Sequence, residues 1–600
     1  MTGFVVPLID WAALAPLLVV LGAGVAGVLV EAFVPDAVRR AVQVVLTLVA
    51  LAGALALVVL RWPVVVGTPE TAGVSDVLVG GTVMVTPFAL ALQGTIAALA
   101  FLGVLVVADR TSTGQDAFAP TAAAVPGTSY EDLARRAGLQ QTEIYPLLLF
   151  ATGGMMLFVG TDDLLMLFVA LEVLSLPLYV LCATARRRRL LSQEAAAKYF
   201  LLGAFASALF IFGVALIYGF AGTVRLDVLR QNIASGAAPL EGMTVLLVGG
   251  VLLVLVGLLF KLGAVPFHAW TPDVYTGAPT PVTGFMAACT KVAAAGAMVK
   301  VLYTVVVSVP ADVANDLRVV VVTVAVATMV VGTVAGAVQT DVKRLLAYSS
   351  IAHAGFLLVA VAGYTGFSVR AVVFYLVAYG VATIGAFGVV TLVRETRLTG
   401  SADGSAEPAG ADGEVADDGV VLGEATHLSQ WAGLGRKAPW LTAAFALFLL
   451  SMAGIPLTAG FVAKFTAFSA AVSGDLTWLA VVGVLASVVA VFFYVRVIVL
   501  MVFTPAPDAE VTRRLSGEGA PGAAPASGTA VEVAGEGAET TGGGVATATR
   551  TEAARTVVTV VGSRGPAAVA VAICAAATIL LGLLPGPVLE LAGQAIKFVP

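Results

Sequence analysis

The chain has 600 residues, 59% of them hydrophobic and 12% charged, with a formal net charge of −5. A soluble domain carries roughly 25% charged residues, so a chain this long and this poor in charge cannot clothe a globular surface. With no basic stripe, it also lacks the electrostatic footprint of a nucleic-acid partner.

The apolar residues fall in runs of ~18 or more, the length that reads as a transmembrane helix. Lipid offers no hydrogen bonds, so each run must close its backbone bonds internally. The runs are continuous rather than alternating, which excludes a β-barrel. Spans are predicted over residues 10–34, 40–60, 82–107, 144–160, 163–184, 195–221, 243–271, 280–308, 317–338, 342–363, 367–393, 438–472, 477–503 and 565–586. The class is therefore all-α: a polytopic membrane protein with about fourteen transmembrane helices. The first run lacks a basic leader and a clear cleavage site, and is read as a retained span.

Lysine and arginine in short loops set orientation. Arg39–Arg40, Arg186 to Arg189, Lys343–Arg344, Arg394 with Arg397, and Arg436–Lys437 fall in alternate loops, which places those loops in the cytoplasm. Both termini are then expected outside, in a bacterial inner (plasma) membrane. The loops 109–142, 395–436 and 504–563 are rich in Gly, Ala, Ser, Thr and acids. Such composition cannot bury enough apolar area to fold alone, so they are expected to be flexible cytoplasmic insertions. Cys182, Cys289 and Cys574 lie in separate spans, with no spacing that supports a disulfide framework or a metal site.

An ionisable group at mid-bilayer costs at least ~2.5 kcal/mol on insertion scales, so each one asks for an explanation. Glu172 sits in LLMLFVALEVLSLPLYVL, Lys261 in VLVGLLFKLGAVPFHAW, Lys291 in GFMAACTKVAAAGAMVK and Lys464 in MAGIPLTAGFVAKFTAF. A structural ion pair is the plain reading of such groups. A proton path is the sharper one, because a buried ammonium gives up its proton more readily and a nearby carboxylate holds it again. Glu172 and Lys261 form such a switch if their helices are neighbours. For Lys300 and Arg496, snorkelling or structural pairing stands level with an accessory role.

Two spans, 243–271 and 438–472, exceed the ~20 residues a crossing needs. Lys261 is followed by Gly263 and Pro266; Lys464 is preceded by Gly454, Pro456 and Gly460. Proline breaks the helical ladder, and transporters place broken helices at ion sites in related halves. His353, in RLLAYSSIAHAGFLLVA, is an intramembrane relay candidate close to Tyr348, Ser349 and Ser350. His268, after Pro266, is either a relay or a partner for a loop carbonyl, and His427 lies in a loop with no assigned chemistry.

The segments LEVLSLPLYVL, AAAKYFLLGAFASALFIFGVALIYG, KLGAVPFHAWTPDVYTGAPTPVTGF, DVKRLLAYSSIAHAGF and AGIPLTAGFVAKF resemble the subunit N family of bacterial respiratory complex I, the NADH-quinone oxidoreductase, over residues 145–500. That resemblance implies an antiporter-like fold with two inverted five-helix repeats and one discontinuous helix in each. It divides the chain into helices 1–3 (1–108), an insertion (109–143), a first repeat (144–308), a second repeat (317–503), an acidic Gly-rich loop (504–563) and a last helix (564–600). It implies a proton path through Glu172, Lys261, Lys291 and Lys464. It also implies no redox site on this chain, with FMN, iron–sulfur clusters, NADH and quinone handled by other subunits. The expected partners are other membrane-arm subunits, the lipid bilayer and protons. Two other readings stay open: a subunit of a cation/proton antiporter or membrane-bound hydrogenase, and a non-pumping structural scaffold.

Overall fold

The computed structural model describes residues 9–68, 71–72, 76–78, 81–111, 114–120, 130, 133–134, 140–238, 240, 242–398, 419–505, 556–560 and 565–596. Most of the three low-complexity loops, including 399–418 and 506–555, lies outside the described residues, and so does their expected flexibility.

Helices α1 (Trp11–Phe33) and α2 (Asp36–Val66) lead into two short hairpins, β1 (Gly67–Thr68) with β2 (Thr71–Ala72), and β3 (Asp76–Leu78) with β4 (Val83–Val85). Then follow α3 (Pro87–Val107), α4 (Ile144–Gly160), α5 (Leu164–Cys182), α6 (Arg189–Ala221), the short α7 (Leu226–Ala234), α8 (Thr244–Leu262), α9 (Trp270–Gly277), α10 (Thr280–Val306), α11 (Ala311–Ala337), α12 (Val342–Val361) and α13 (Gly366–Leu392). Strands β5 (Val393–Leu398) and β6 (Gly419–Glu424) precede α14 (Leu434–Lys437), α15 (Pro439–Ala453), α16 (Ala459–Ser473) and α17 (Thr477–Phe503). Strand β7 (Thr556–Val560), α18 (Pro566–Leu583) and α19 (Gly586–Gln594) complete the chain.

Twelve of these helices are long and apolar enough to cross a membrane. Helix α4, at 17 residues, and the broken pair α15–α16 add two further apolar crossings. The predicted spans are thus recovered, with two refinements. Helix α2 begins at Asp36, so Arg39 and Arg40 sit in its first two turns rather than in a loop. The seventh crossing does not stop at residue 271 but resumes as α9, through Gly277.

The low-complexity loops are not wholly without structure. Their edges pair as an antiparallel sheet in the order β6–β5–β7. The β-branched run TVVTV at 556–560 fits a pleated strand, a signal outweighed in the sequence by the Gly- and Ala-rich residues before it.

The basic groups gather at one end of the bundle. Arg187 pairs with Glu395 at 2.5 Å, Arg188 donates to Thr426 Oγ1 at 3.1 Å, and Arg40 donates to the Ala108 carbonyl at 2.7 Å. At the opposite end Arg61 meets Asp10 at 2.9 Å and Arg225 meets Asp227. Helix α4 starts at the basic end, whereas α11 finishes there, so the run α4–α10 and the run α11–α17 have opposite senses.

Local geometry repeats between these two runs. Asp163 caps α5 through the amides of Leu165 and Met166, and Asp341 caps α12 through that of Arg344. A side chain at Gly154 of α4 would strike the backbone of Leu174 in α5, and one at Gly332 of α11 would strike the backbone of Ala352 in α12. Small residues allow such close approach in membranes, where helices associate by packing rather than by the hydrophobic effect. Gly332→Val is expected to lower the thermal midpoint of the purified protein, with a cost of about 1–3 kcal/mol for overpacking. Gly219→Ala, where an added methyl meets nothing within 4 Å, is the matched control and is expected to leave the midpoint unchanged or slightly raised.

Candidate functional site

Both broken crossings stop in the same way. Helix α8 ends at Leu262 because Gly263 turns left-handed at φ 74°, and the amide of Ala264 reaches back to the Leu259 carbonyl at 2.9 Å. Helix α15 ends at Ala453 because Gly454 turns left-handed at φ 87°, and the amide of Ile455 reaches back to Leu450 at 3.0 Å. This is the Schellman closure, for which glycine has no Cβ penalty. Pro266 and Pro456 then prevent the helix from continuing.

Each break leaves the carbonyl of the last helical residue to be satisfied, and in each a lysine satisfies it. Lys291 of α10 donates to Leu262 O at 2.9 Å and to Ser350 O at 2.7 Å. Lys464 of α16 donates to Ala453 O at 3.0 Å and to Ser487 Oγ at 2.7 Å. Both ammonium groups also face an aromatic ring, Tyr379 at 5.6 Å and Phe356 at 4.6 Å from the centroid. Lys291 is 3% and Lys464 5% exposed.

Lys261 is held differently. It points into a box of rings, 5.1 Å from the centroid of Tyr179, 4.8 Å from Tyr199 and 5.7 Å from Phe260, and donates to Tyr199 Oη at 3.3 Å. Trp270, the first residue after the break, stacks on Tyr199 at 4.6 Å and ties its indole N–H to Phe260 O at 2.9 Å. Glu172 does not close an ion pair with Lys261. Helix α6 packs against both α5 and α8, and Tyr199 of α6 takes the lysine. The Glu172 carboxylate is within electrostatic reach, but its shielded Oε1 accepts no hydrogen bond among the described residues. It lies on the α5 face that also presents Leu165, Val169, Leu176 and Val180, all exposed.

Between Lys291 and Lys464 lie two hydrogen-bonded clusters, one around Ser350 and one around His353. Ser350, whose carbonyl holds Lys291, accepts from Tyr379 Oη at 2.9 Å and lies 3.4 Å from Tyr275 Oη. His353 Nδ1 is 2.6 Å from Tyr375 Oη, and its Nε2 is 3.4 Å from Tyr494 Oη, which meets Ser349 Oγ at 2.5 Å. Beside His353 a cavity with about 10 Å³ open to the centre of a water molecule is lined by Tyr375, Tyr379, Ser451, Met452 and Gly460, room for about one water. The sequence pointed to His353, Ser349 and Ser350 but not to these tyrosines. The signal available was the spacing of Tyr375 and Tyr379, which places both on one face of their span.

The other candidates stand apart from these clusters. His268 is partly exposed in the first break, and its Nδ1 has no partner among the described residues. Lys300 donates to Thr161 O at 2.6 Å, just past the C-terminus of α4. Arg496 donates to Ala337 O at 3.1 Å and Gln339 O at 3.3 Å, at the C-terminus of α11. Cations there complement the orphan carbonyls and the helix dipole. Helices α4 and α11 open the two runs, so Lys300 and Arg496 are counterpart clamps at opposite ends of the bundle. Lys300→Met and Arg496→Met are each expected to cost about 1–3 kcal/mol, the penalty for a buried acceptor left unpaired. Faster amide exchange in the last turn of α4 or α11, respectively, checks this, with exchange around Lys291 and Lys464 unchanged.

The family described as NADH:quinone oxidoreductase/Mrp antiporter, transmembrane, matches residues 161–490. The chain is 54% identical to NADH-quinone oxidoreductase subunit N of Beutenbergia cavernae, with both chains covered in full, and 51% identical to subunit N of Rhodococcus opacus, covering 84% of this chain and 89% of that one. Among solved structures, a chain of respiratory complex I from Thermus thermophilus with bound aureothin superposes with a TM-score of 0.65 at 29% identity, covering 96% of this chain and 99% of that one. A chain of the Mrp complex from a Dietzia species shares the fold, with a TM-score of 0.68 at 21% identity over 97% of each chain. With the broken helices and their buried lysines in the matched region, the chain belongs to the NADH:quinone oxidoreductase/Mrp antiporter membrane family, within its subunit N branch.

Proposed function

We propose that this chain is a proton-translocating membrane-arm subunit of a proton-pumping NADH:quinone oxidoreductase, coupling electron transfer in other subunits to outward proton transport. The observation that carries this reading is the repeated pairing of a broken-helix carbonyl with a buried lysine, with hydrogen-bonded clusters around Ser350 and His353 lying between the two. Glu172, Lys261, Lys291, His353 and Lys464 form the path. Lys261 and Lys291 communicate through adjacent residues, since Lys291 holds the carbonyl of Leu262. Ser350, Tyr379, His353 and Tyr494 offer donors and acceptors for a relay toward Lys464, with the small cavity supplying room for a water. Charge on one lysine is felt by the next, because little solvent screens buried groups.

In this reading the basic end faces the cytoplasm, in agreement with the positive-inside rule, and both termini face outward. NADH, FMN, iron–sulfur and quinone chemistry belongs to other subunits of the complex. The exposed α5 face that carries Glu172 suits a neighbouring membrane-arm subunit better than lipid, because a carboxylate facing hydrocarbon is costly.

Lys261→Ala and Lys464→Ala, each in the assembled complex, are expected to cut protons moved per NADH oxidised by more than half while subunit content stays normal. Proton uptake into sealed vesicles alongside native-gel assembly measures both. Normal pumping with normal assembly would sink the lysine path, and loss of assembly alone would favour a scaffold.

A further inference from the structure

The hydrogens around His353 can be placed one by one, starting from the group that has none to give. Met452 Sδ is a thioether and only accepts. Ser349 Oγ, 3.9 Å away, donates to it and so spends its single hydrogen. At its 2.5 Å contact with Tyr494 Oη, Ser349 therefore accepts, and Tyr494 spends its own hydrogen there. Tyr494 Oη is left with lone pairs to offer His353 Nε2, 3.4 Å away. Nε2 then carries the hydrogen of the neutral ring, and Nδ1 carries a lone pair. The group at Nδ1 is the hydroxyl of Tyr375, at 2.6 Å, and it donates.

The packing keeps this assignment in place. The five side chains come from four helices: Ser349 and His353 from α12, Tyr375 from α13, Met452 from α15 and Tyr494 from α17. None is more than 5% exposed, so bulk water does not compete for their hydrogens. Ser349 and His353 stand four residues apart on one face of α12. Tyr375 lines the small cavity together with Tyr379, one turn further along α13. Tyr379 donates to Ser350, the residue whose carbonyl holds Lys291. Tyr375 thus stands between the ring and the cluster that reaches Lys291.

We infer that Tyr375 is a working residue of the proton path: its hydroxyl holds His353 in the Nε2–H form and is the donor through which Nδ1 takes up a proton. The inference rests on the path proposed above. In the step the Oη–H bond of Tyr375 breaks as Nδ1–H forms, and Tyr375 Oη takes a proton arriving along the path from the cavity side. The ring becomes an imidazolium and the phenol stays neutral. The two transfers move together, because a phenolate left behind in the bundle is costly. Nε2–H is then the hydrogen presented to Tyr494. No other group is bonded to Nδ1 among the described residues.

The test uses the intact complex in sealed vesicles. It reads protons moved per NADH oxidised, and the solvent isotope effect on the initial rate of proton uptake. Tyr375→Phe keeps the ring and removes the hydroxyl. It is expected to cut the pumping ratio by more than half and to raise the isotope effect, because delivery to Nδ1 becomes the slow step. A ring-fluorinated tyrosine at position 375, which keeps the hydroxyl, is expected to recover pumping. His353→Gln is measured beside them. Normal pumping by His353→Gln overturns the path itself, and this inference with it. Defective pumping by His353→Gln, with normal pumping and isotope effect in Tyr375→Phe, overturns the inference alone. A Tyr375→Phe loss with an unchanged isotope effect, or one that the fluorinated tyrosine does not recover, marks a packing role and also overturns it. Where Tyr375→Phe does not assemble, the fluorinated complex decides: an isotope effect equal to that of the unmodified complex overturns the inference.

Discussion

A helix that breaks inside a bilayer must find donors for the carbonyls it releases, because lipid supplies none. Here that requirement is met at two places by an ammonium group. The glycine that ends α8 and the glycine that ends α15 each free one carbonyl toward the bundle interior, and Lys291 and Lys464 take them. The arrangement binds backbone and charge to each other. The break needs the lysine to satisfy it, and the lysine needs the break for an acceptor at mid-membrane. Any change in the charge of either lysine therefore acts directly on the geometry of a broken helix.

The three lysines are not equally compensated. Lys291 and Lys464 each make two hydrogen bonds from a charged donor, worth about 1.5–3 kcal/mol apiece, enough to offset the ~2.5–3.5 kcal/mol that insertion scales assign to a central lysine. Lys261 has one long bond to a tyrosine and three ring faces, and a cation–π contact contributes about 0.5–2 kcal/mol. Glu172, the one nearby carboxylate named by the sequence, stays out of contact. Lys261 is therefore the cation most dependent on the position of a distant charge, while Lys291 and Lys464 are anchored to backbone.

Most of the fold was legible because lipid makes the code simple: long apolar runs are helices, and basic residues mark one end. The two broken crossings were legible for the same reason, from length together with Gly and Pro. Their structure as matched closures was not, since which carbonyl a lysine reaches depends on how helices remote in sequence pack. The Glu172–Lys261 pairing was conditional on such packing, and Tyr199 of α6 took the lysine instead. The sheet at 393–398, 419–424 and 556–560 was hidden because its strands are separated by long polar stretches, and pairing across them is not a local property. Lys300 and Arg496 stayed undecided in the sequence because depth alone does not distinguish a conducting cation from a helix cap.

The internal symmetry separates scaffold from chemistry. Counted from the capping aspartates Asp163 and Asp341, Glu172 corresponds to Ser350; counted from the terminating glycines Gly263 and Gly454, Lys261 corresponds to Met452. The caps, the glycine closures, the helix crossings and the clamps Lys300 and Arg496 recur in both runs, while the ionisable pair Glu172 and Lys261 occurs only in the first. The second run offers a hydroxyl and a thioether at those positions, and Met452 meets the neighbouring Ser349 at 3.9 Å beside His353. Features present in both halves are therefore those the broken-helix fold requires. Glu172 and the ring-boxed Lys261, which have no counterpart in the second half, are therefore not among the features that fold requires.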